Sequence, residues 1–257
     1  MYFIKKMIKQ LVNRLLKPAG YVIVNANSFY PETPVEATKE ELLLLNEADK
    51  YSMTGKVRIW ALLNALKYAA SNNIEGDCVE CGVWRGGNLI LMRKYLDKIG
   101  SSRKVYGYDT FEGMSEPTEV DVDLYGNKAS EKMKGQAKHE KLSNIHAFAG
   151  FDSVSRNLNQ VNAHQGVILV KGKVEDSLLV EENIPDKISI LRLDTDWYES
   201  TKIELERLYP KLSTGGVLII DDYGHYKGAK KAVDEYFLGQ NVWFHYVDYT
   251  CRLLIKK

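Results

Sequence analysis

The chain has 257 residues, of which 45% are hydrophobic and 27% are charged, a balance typical of a globular protein with one substantial core. Lys and Arg number 35 against 34 Asp and Glu, so the net charge of +1 gives no electrostatic case for a nucleic-acid partner. The three cysteines and the lack of a cleavable signal pattern favour a reduced, cytoplasmic protein. We therefore expect an α/β domain with an added segment, acting on a small molecule.

Residues 1–17 predict a basic amphipathic helix, because apolar residues recur at helical spacing and the basic residues fall largely on other faces. Its apolar face suits docking onto the domain or onto a partner subunit. Peripheral contact with an anionic membrane surface is the alternative, since the segment is too short and too polar to span a bilayer. A connector, residues 31–41, follows, and we assign residues 1–50 to this N-terminal region.

The region from residue 51 to residue 257 predicts one α/β domain. Helical spacing first indicates helices over residues 41–48 and 57–70, and from Asp77 onward apolar runs alternate with helical stretches. The predicted strands are 78–81, 105–108, 167–170, 188–193 and 217–220, and the predicted helices between them are 88–96, 199–209 and 229–237. This alternation is typical of a doubly wound, mostly parallel sheet.

Two further strands, residues 242–247 and 252–255, bring the predicted sheet to seven strands. Only a hairpin joins strands that lie so close in sequence, so this C-terminal pair is expected to be antiparallel. Residues 112–165, between the second and third strands, are polar and contain no clear strand, with a helix indicated over 153–161. We expect this stretch to be a lid-like insertion over the edge of the sheet.

A glycine-rich turn, Glu80–Gly87, follows the first strand directly. Glycines at such a turn let a ligand approach the backbone and leave the next helix N-terminus free, which makes a cofactor cradle. The spacing differs from the G-x-G-x-x-G of nicotinamide-dependent enzymes, and Glu80 would repel a diphosphate. A carboxylate here favours a cationic, amino-acid-bearing cofactor such as S-adenosylmethionine. The candidate contacts in this turn are Glu80, Gly82, Trp84, Arg85 and Gly86.

Asp109 ends the second strand and lies 22 positions beyond Gly87. A carboxylate at this place can accept both hydroxyl groups of a ribose, although capping of the next turn is an alternative use. Its neighbours Thr110 and Phe111 are further candidate contacts, and Gly172, after the third strand, is a candidate for an adenine pocket. Together these positions predict a nucleoside-bearing cofactor.

Aspartates end the fourth and fifth strands. The carboxyl ends of neighbouring parallel strands meet on one rim, so Asp194, Asp221 and Asp222 are expected to lie together. Charged carboxylates in such proximity need compensation, and a hard divalent cation, Mg²⁺ first, is the natural counter-ion. Helix capping is the alternative use. A cation here would activate an acceptor hydroxyl, with Asp194 as the preferred base and Asp196 and His225 as alternatives.

Three motifs carry a family resemblance: Val79–Gly87, Leu191–Thr201 and Tyr209–Tyr223. They resemble the macrocin O-methyltransferase family, and the resemblance runs across roughly residues 50 to 240. It implies a class I methyltransferase fold, which is Rossmann-like with helices on both faces of the sheet. It also implies S-adenosylmethionine, magnesium and methylation of sugar hydroxyls. Carried over by motif, the metal ligands are Asp194, Asp221 and Asp222, with Asp194 at the catalytic centre, and the cofactor contacts include Glu80, Gly82, Asp109 and Gly172.

The resemblance also marks Met53 and Thr54, within Ser52–Arg58, as part of a segment that can close over cofactor and substrate. It implies a homo-oligomer, which the apolar face of the first helix would suit. The first helix and the insertion do not align with the family, so the acceptor stays open between an antibiotic sugar and a surface-glycan or nucleotide-sugar hydroxyl. An NAD(P)-dependent oxidoreductase and a non-catalytic nucleoside-binding scaffold protein remain as alternative functions.

Overall fold

The computed structural model describes residues 11–21, 34–139 and 144–257. The chain divides into two compact units, Met1–Ala37 and Thr38–Lys257. Among the described residues, no helix combines the length and the apolar character needed to cross a membrane.

In the first unit, residues 11–16 are helical and a 3-10 turn, Lys17–Ala19, follows them. The turn ends at Gly20, whose left-handed backbone closes it. The remainder of the predicted amphipathic helix, residues 1–10, lies outside the described residues.

A seven-stranded sheet forms the centre of the second unit. Its strands are β1 (Asp77–Cys81), β2 (Val105–Asp109), β3 (Val167–Lys171), β4 (Ile188–Leu193), β5 (Leu212–Ile220), β6 (His245–Tyr246) and β7 (Arg252–Ile255). The strand order is β3-β2-β1-β4-β5-β7-β6. The first five strands are parallel, and β7 is antiparallel to both β5 and β6. The predicted mostly parallel sheet with a C-terminal antiparallel hairpin is therefore confirmed.

Helices cover both faces of this sheet. They are α1 (Lys39–Asp49), α2 (Gly55–Ser71), α3 (Gly87–Lys98), α4 (Ala129–Lys134), α5 (Phe151–Gln160), α6 (Val174–Ser177), α7 (Tyr198–Leu208) and α8 (Lys227–Tyr236). Side chains alternate between the faces of a strand, so the sheet contributes to two core clusters. Cys78 packs into the cluster with α2 and α3, whereas its neighbour Val79 packs into the cluster with α7 and α8.

The second unit begins at Thr38, earlier than the predicted domain boundary at residue 51. Thr38 and Glu41 form a reciprocal capping box that starts α1, with bonds of 3.2 Å and 2.8 Å. Leu45 of α1 is fully buried in the same core cluster as α3, and Lys94 of α3 pairs with Glu47 at 2.8 Å. Helix α1 therefore belongs to the second unit.

Two strands differ from their predicted bounds by more than two residues. Strand β5 begins at Leu212 rather than at residue 217, and β6 covers only His245–Tyr246 of the predicted 242–247. Helix α5 lies within the stretch predicted as an insertion, yet its Val154 and Leu158 are buried in the main core. A parallel connection from β2 to β3 needs such a crossover helix. The name lid-like part is used below for the described residues of this predicted insertion that precede α5, 112–139 and 144–150.

The lid-like part is anchored on the starts of α7 and α8. The Trp197 indole N–H donates to the Ser115 carbonyl at 3.0 Å, and Trp197 packs edge-on against Tyr226. A carboxylate oxygen of buried Asp121 accepts from the Tyr198 backbone N–H at 2.8 Å. Met133 of α4 joins this small apolar cluster. These contacts hold the segment beside the carboxyl ends of the strands.

Candidate active site

A cavity of about 270 Å³ lies at the carboxyl ends of the parallel strands. Residues from the start of α2, from the strand ends and from the lid-like part all line it. The predicted site residues in its lining are Met53, Thr54, Gly82, Trp84, Asp109, Thr110, Gly172, Asp194, Asp196, Asp221, Asp222 and His225. The fold thus brings most of the predicted site residues to one cavity, as expected for the carboxyl rim of an open α/β sheet.

Three aspartates meet in this cavity. One carboxylate oxygen each from Asp194, Asp221 and Asp222 lies within 4.8 Å of the others. Asp194 follows β4 and the other two follow β5, and these strands are paired in parallel. The three aspartates therefore lie together because β4 and β5 are neighbouring parallel strands that end at the same edge of the sheet.

Two arginines that sequence reasoning missed neutralise part of this charge. Arg192, on β4, is 1% exposed and donates to Asp194 at 2.6 Å and to Asp221 at 2.7 Å. Arg58, in the first turn of α2, donates to the other oxygen of Asp221. An arginine inside the apolar run of a buried strand was the available signal, because a buried guanidinium needs carboxylate partners.

Burial raises the pKa values of Asp221 and Asp222 above the usual aspartate range. Burial also raises the pKa of the nearby Asp196, to about 7, and the charges of Asp194 and Asp221 act in the same direction. The Oδ2 atom of Asp222 is buried without a hydrogen-bond partner in the described part of the chain. An unpartnered oxygen beside two further carboxylates is a donor set that fits a hard divalent cation.

The glycine turn after β1 is shaped by close backbone contacts. Gly82 has a φ of +84°, and a Cβ atom there would lie 1.9 Å from the Asp194 carbonyl oxygen. Any larger residue would push the ends of β1 and β4 apart. The turn is also tied to β2, because Asp109 accepts from the backbone N–H groups of Val83 at 2.8 Å and Trp84 at 3.0 Å.

Asp109 therefore has a structural task as well as a place in the cavity. Its second oxygen accepts from the Phe111 backbone N–H at 2.7 Å. Burial raises the pKa of Asp109, while the three backbone N–H donors oppose that shift. The carboxylate predicted to hold a ribose thus fixes the two turns that frame the cavity.

Four of the predicted cofactor contacts, Glu80, Arg85, Gly86 and Phe111, lie outside the lining of the cavity. Glu80 is 1% exposed and accepts from Asn88 and Arg192, each at 2.8 Å. Burial raises the pKa of Glu80 to about 8, although Arg192 opposes the shift. Glu80 therefore orients Arg192, which in turn holds the aspartates.

The other three residues, Arg85, Gly86 and Phe111, have structural roles. The Arg85 guanidinium lies 5.5 Å from the ring centres of Tyr51 and Trp84. Gly86 supplies the left-handed residue before α3, and Phe111 is buried edge-on against Phe151. These residues shape the wall behind the cavity.

His225, one of the three candidate bases, shares the cavity with Asp194 and Asp196. Burial lowers the pKa of His225, and the positive charges of Lys132 and Arg58 act in the same direction. The imidazole is therefore neutral near pH 7 and able to accept a proton. Its Nδ1 atom lies 3.5 Å from the Tyr249 hydroxyl, which also lines the cavity and which sequence reasoning missed.

A family model described as macrocin-O-methyltransferase (TylF) matches residues 8–252 of the chain. The chain belongs to the macrocin O-methyltransferase family. It is 35% identical over 191 residues to demethyldecarbamoylnovobiocin O-methyltransferase of Streptomyces niveus, which covers 74% of this chain and 68% of that relative. It is 33% identical over 196 residues to 8-demethyl-8-(2,3-dimethoxy-alpha-L-rhamnosyl)-tetracenomycin-C 4'-O-methyltransferase of Streptomyces olivaceus, covering 72% and 67%.

Solved structures agree with this assignment. The structure of the O-methyltransferase NovP matches with a TM-score of 0.69 and 29% identity, over 98% of this chain and 99% of that chain. The class I methyltransferase fold implied by the motifs is confirmed. This member of the macrocin O-methyltransferase family is an S-adenosylmethionine-dependent O-methyltransferase, which excludes the oxidoreductase alternative.

Proposed function

We propose that this enzyme transfers the methyl group of S-adenosylmethionine to a hydroxyl group of a sugar or sugar-bearing natural product. We further propose that a divalent cation, Mg²⁺ first, is held by Asp194, Asp221 and Asp222. The observation that carries the cation is the convergence of these carboxylates, with one oxygen of each lying within 4.8 Å of the others, together with the buried, unpartnered Oδ2 atom of Asp222. The acceptor class is supported by the names of the two Streptomyces relatives, of which one specifies a rhamnosyl derivative.

The cofactor would lie along the glycine turn and the ends of β1 to β3. Gly82 and Gly172 expose backbone there, and Trp84 and Thr110 complete the wall. Glu80, Arg85, Gly86 and Phe111 would support this wall from behind. S-adenosylmethionine supplies a sulfonium methyl group, which an oxygen nucleophile attacks in line. Met53 and Thr54, at the start of α2, would help to exclude water from that path.

The proton of the acceptor hydroxyl needs a base in the same cavity. We retain Asp194 as the first candidate, because a fifth of its side chain is exposed (20%) and Arg192 holds its orientation at 2.6 Å. Neutral His225 is the second candidate. Asp196 is the weakest, because its carboxyl group is engaged by Asp222. When bound, a dication would supply Lewis acidity that lowers the pKa of an acceptor hydroxyl.

The proposal is tested with methyl-labelled S-adenosylmethionine and a panel of deoxysugar glycosides, with Mg²⁺ or with excess chelator. Asp222→Asn is the sharper variant, because Asp221 also pairs with two arginines and its loss would remove a carboxylate partner from each of them. We expect Asp222→Asn to lower Mg²⁺-dependent turnover by at least about 100-fold, the scale on which a lost electrostatic group acts. The calorimetric dissociation constant of S-adenosylmethionine should stay nearly unchanged.

Equal turnover with Mg²⁺ and with chelator would remove the cation from the proposal. Calorimetric binding of S-adenosylmethionine without methyl transfer to any glycoside would instead contradict the proposed acceptor class. Asp152→Asn, at an exposed position on α5, is the control for a charge change away from the cavity.

We also propose a cytoplasmic, homo-oligomeric protein. Cys78, Cys81 and Cys251 are buried, free thiols, which supports a reduced setting. Subunit docking through the apolar face of residues 1–17, or peripheral membrane contact by the same segment, remains to be decided by experiment.

A further inference from the structure

Asp221 differs from the other two aspartates of the cluster, because both of its oxygens already have cationic partners. Arg192 donates to Oδ1 at 2.7 Å, and Arg58 donates to Oδ2. The Oδ2 atom of Asp222, by contrast, is buried without a partner in the described chain. A metal ion that takes Oδ2 of Asp221 therefore competes with a guanidinium group for the same oxygen.

Arg192 is not the arginine that can move. It is 1% exposed near the carboxyl end of β4 and is held by Glu80, Asp194 and Asp221 together. Releasing it would strand a buried charge, which is strongly unfavourable.

Arg58 has both freedom and a second partner. Its side chain is 17% exposed at the start of α2, and its Nε atom lies 3.2 Å from a carboxylate oxygen of Asp248. Asp248 is 25% exposed. It precedes β7 in the chain and is not one of the three clustered aspartates. Arg58 can therefore leave Asp221 while remaining neutralised.

We propose that Arg58 and the divalent cation are alternative counter-ions of Asp221, and that Arg58 shifts onto Asp248 when the cation binds. This inference rests on the proposed metal site. A guanidinium and a dication repel each other at such short range, so the presence of Arg58 weakens cation binding. Arg58 follows Met53 and Thr54, which line the cavity, so the exchange would link metal occupancy to that wall.

The test is titration of the full-length protein with Mn²⁺, followed by electron paramagnetic resonance, without S-adenosylmethionine. We expect Arg58→Gln to bind Mn²⁺ about tenfold or more tightly than the wild type, because one repelling charge is gone. Arg156→Gln, at an exposed position on α5, is the matched control and should leave the affinity unchanged. Unchanged or weaker Mn²⁺ binding by folded Arg58→Gln would overturn the exchange. Arg58→Met, which also removes the charge, serves if the glutamine variant fails to fold, and it should likewise bind Mn²⁺ more tightly than the wild type.

Asp248→Asn separates an exchange of partners from a general effect of charge. The asparagine keeps an oxygen for the backbone N–H groups of Thr250 and Cys251, which bond Asp248 at 3.0 Å and 2.8 Å. We expect Asp248→Asn to weaken Mn²⁺ binding in the wild-type background and to have no effect in the Arg58→Gln background. Equal weakening in both backgrounds would show that Asp248 acts only as a nearby charge, and would refute the exchange.

The same samples distinguish this inference from the proposed function. If neither the wild type nor Arg58→Gln binds Mn²⁺, the metal site itself fails and the exchange fails with it. If the wild type binds Mn²⁺ and the glutamine variant binds no more tightly, only the exchange fails. Calorimetric binding of S-adenosylmethionine is read separately in each case.

Discussion

Arg192 shows how a strand interior can hold a full charge. Its guanidinium is 1% exposed, and Glu80, Asp194 and Asp221 surround it. A buried ion needs such a complete set of partners, because desolvation otherwise outweighs the attraction. Carboxyl groups nevertheless outnumber the guanidinium groups here, since Asp196 and Asp222 add to the three around Arg192. The residual negative charge is what makes a cation reasonable even beside two arginines.

Glu204, on α7, is another buried carboxyl group. It is fully buried and accepts from the Thr195 hydroxyl at 2.9 Å. Burial raises the pKa of Glu204 well above its usual value, and the charge of Glu175 acts in the same direction. Glu204 therefore keeps its proton to a higher pH in the folded protein than in the unfolded chain, and its bond to Thr195 supports the loop that carries Asp194.

This state makes stability depend on pH in a defined direction. The unfolded chain releases the Glu204 proton near pH 4.5, whereas the folded protein keeps it, so rising pH favours unfolding until the folded pKa is passed. Relative to Glu204→Gln, the wild type should lose about 1.4 kcal/mol of unfolding free energy per pH unit above that value. Urea unfolding at several pH values between 5 and 8 measures the difference.

The matched control is Glu206→Gln, at an exposed position on the same helix. A constant difference between Glu204→Gln and the wild type across this pH range would mean that Glu204 is charged in the folded protein. The loop that carries Asp194 would then be supported by a charged Glu204 side chain.

At the scale of elements, Asp121 joins the lid-like part to the start of α7. One oxygen accepts from the Tyr198 backbone N–H at 2.8 Å, and the other accepts from the Thr118 backbone and hydroxyl at 2.7 Å and 2.8 Å. Helix α7 has no capping side chain at its own N-cap residue, Trp197. A residue from a distant segment therefore serves as its cap.

We expect Asp121→Ala to lower the free energy of unfolding by about 2–4 kcal/mol, because buried N–H groups on two elements lose their acceptor. Chemical denaturation measures this loss. Asp152→Ala, in the exposed first turn of α5, should change stability by less than about 0.5 kcal/mol. Comparable losses in the two variants would contradict a capping role that is specific to Asp121.

The regular elements were predictable because their signals are local. The apolar run Ile188–Leu193 is buried at every position, and it was predicted with its observed bounds. The anchoring of the lid-like part was not predictable, because the Asp121 carboxylate meets a backbone group 77 positions away. The ion pair between Arg58 and Asp221 joins residues 163 positions apart, and it was not predicted for the same reason.

The site shows the same division between local and long-range information. The strand ends predicted which aspartates would meet, since parallel topology alone decides that. The sequence did not show that Glu80 would face Arg192 rather than the cavity, because both readings suit a glutamate next to a glycine turn. Likewise, the sequence did not show that the Asp109 carboxylate would accept hydrogen bonds from the backbone of two turns, because those N–H groups come together only in the folded chain.

At the scale of the whole molecule, both large core clusters and the lining of the cavity belong to Thr38–Lys257. The unit has its own capping box at Thr38, so its first helix has a defined start. The region before it, Met1–Ala37, contributes no residue to either cluster among those described. The catalytic unit should therefore be independent of that region in folding and in cofactor binding.

Deletion of residues 1–37 tests this independence. The shortened chain should keep the cofactor's dissociation constant within about twofold and its melting temperature within about 4 °C, the shift expected for roughly 1 kcal/mol in a domain of this size. Calorimetric titration and thermal unfolding measure these quantities. Light scattering and flotation with anionic vesicles then assign the role of residues 1–17. A lower assembly mass after deletion, with unchanged vesicle binding, would support subunit docking, whereas the reverse would support membrane contact. Loss of cofactor binding by the folded, shortened chain would show that the first unit completes the site.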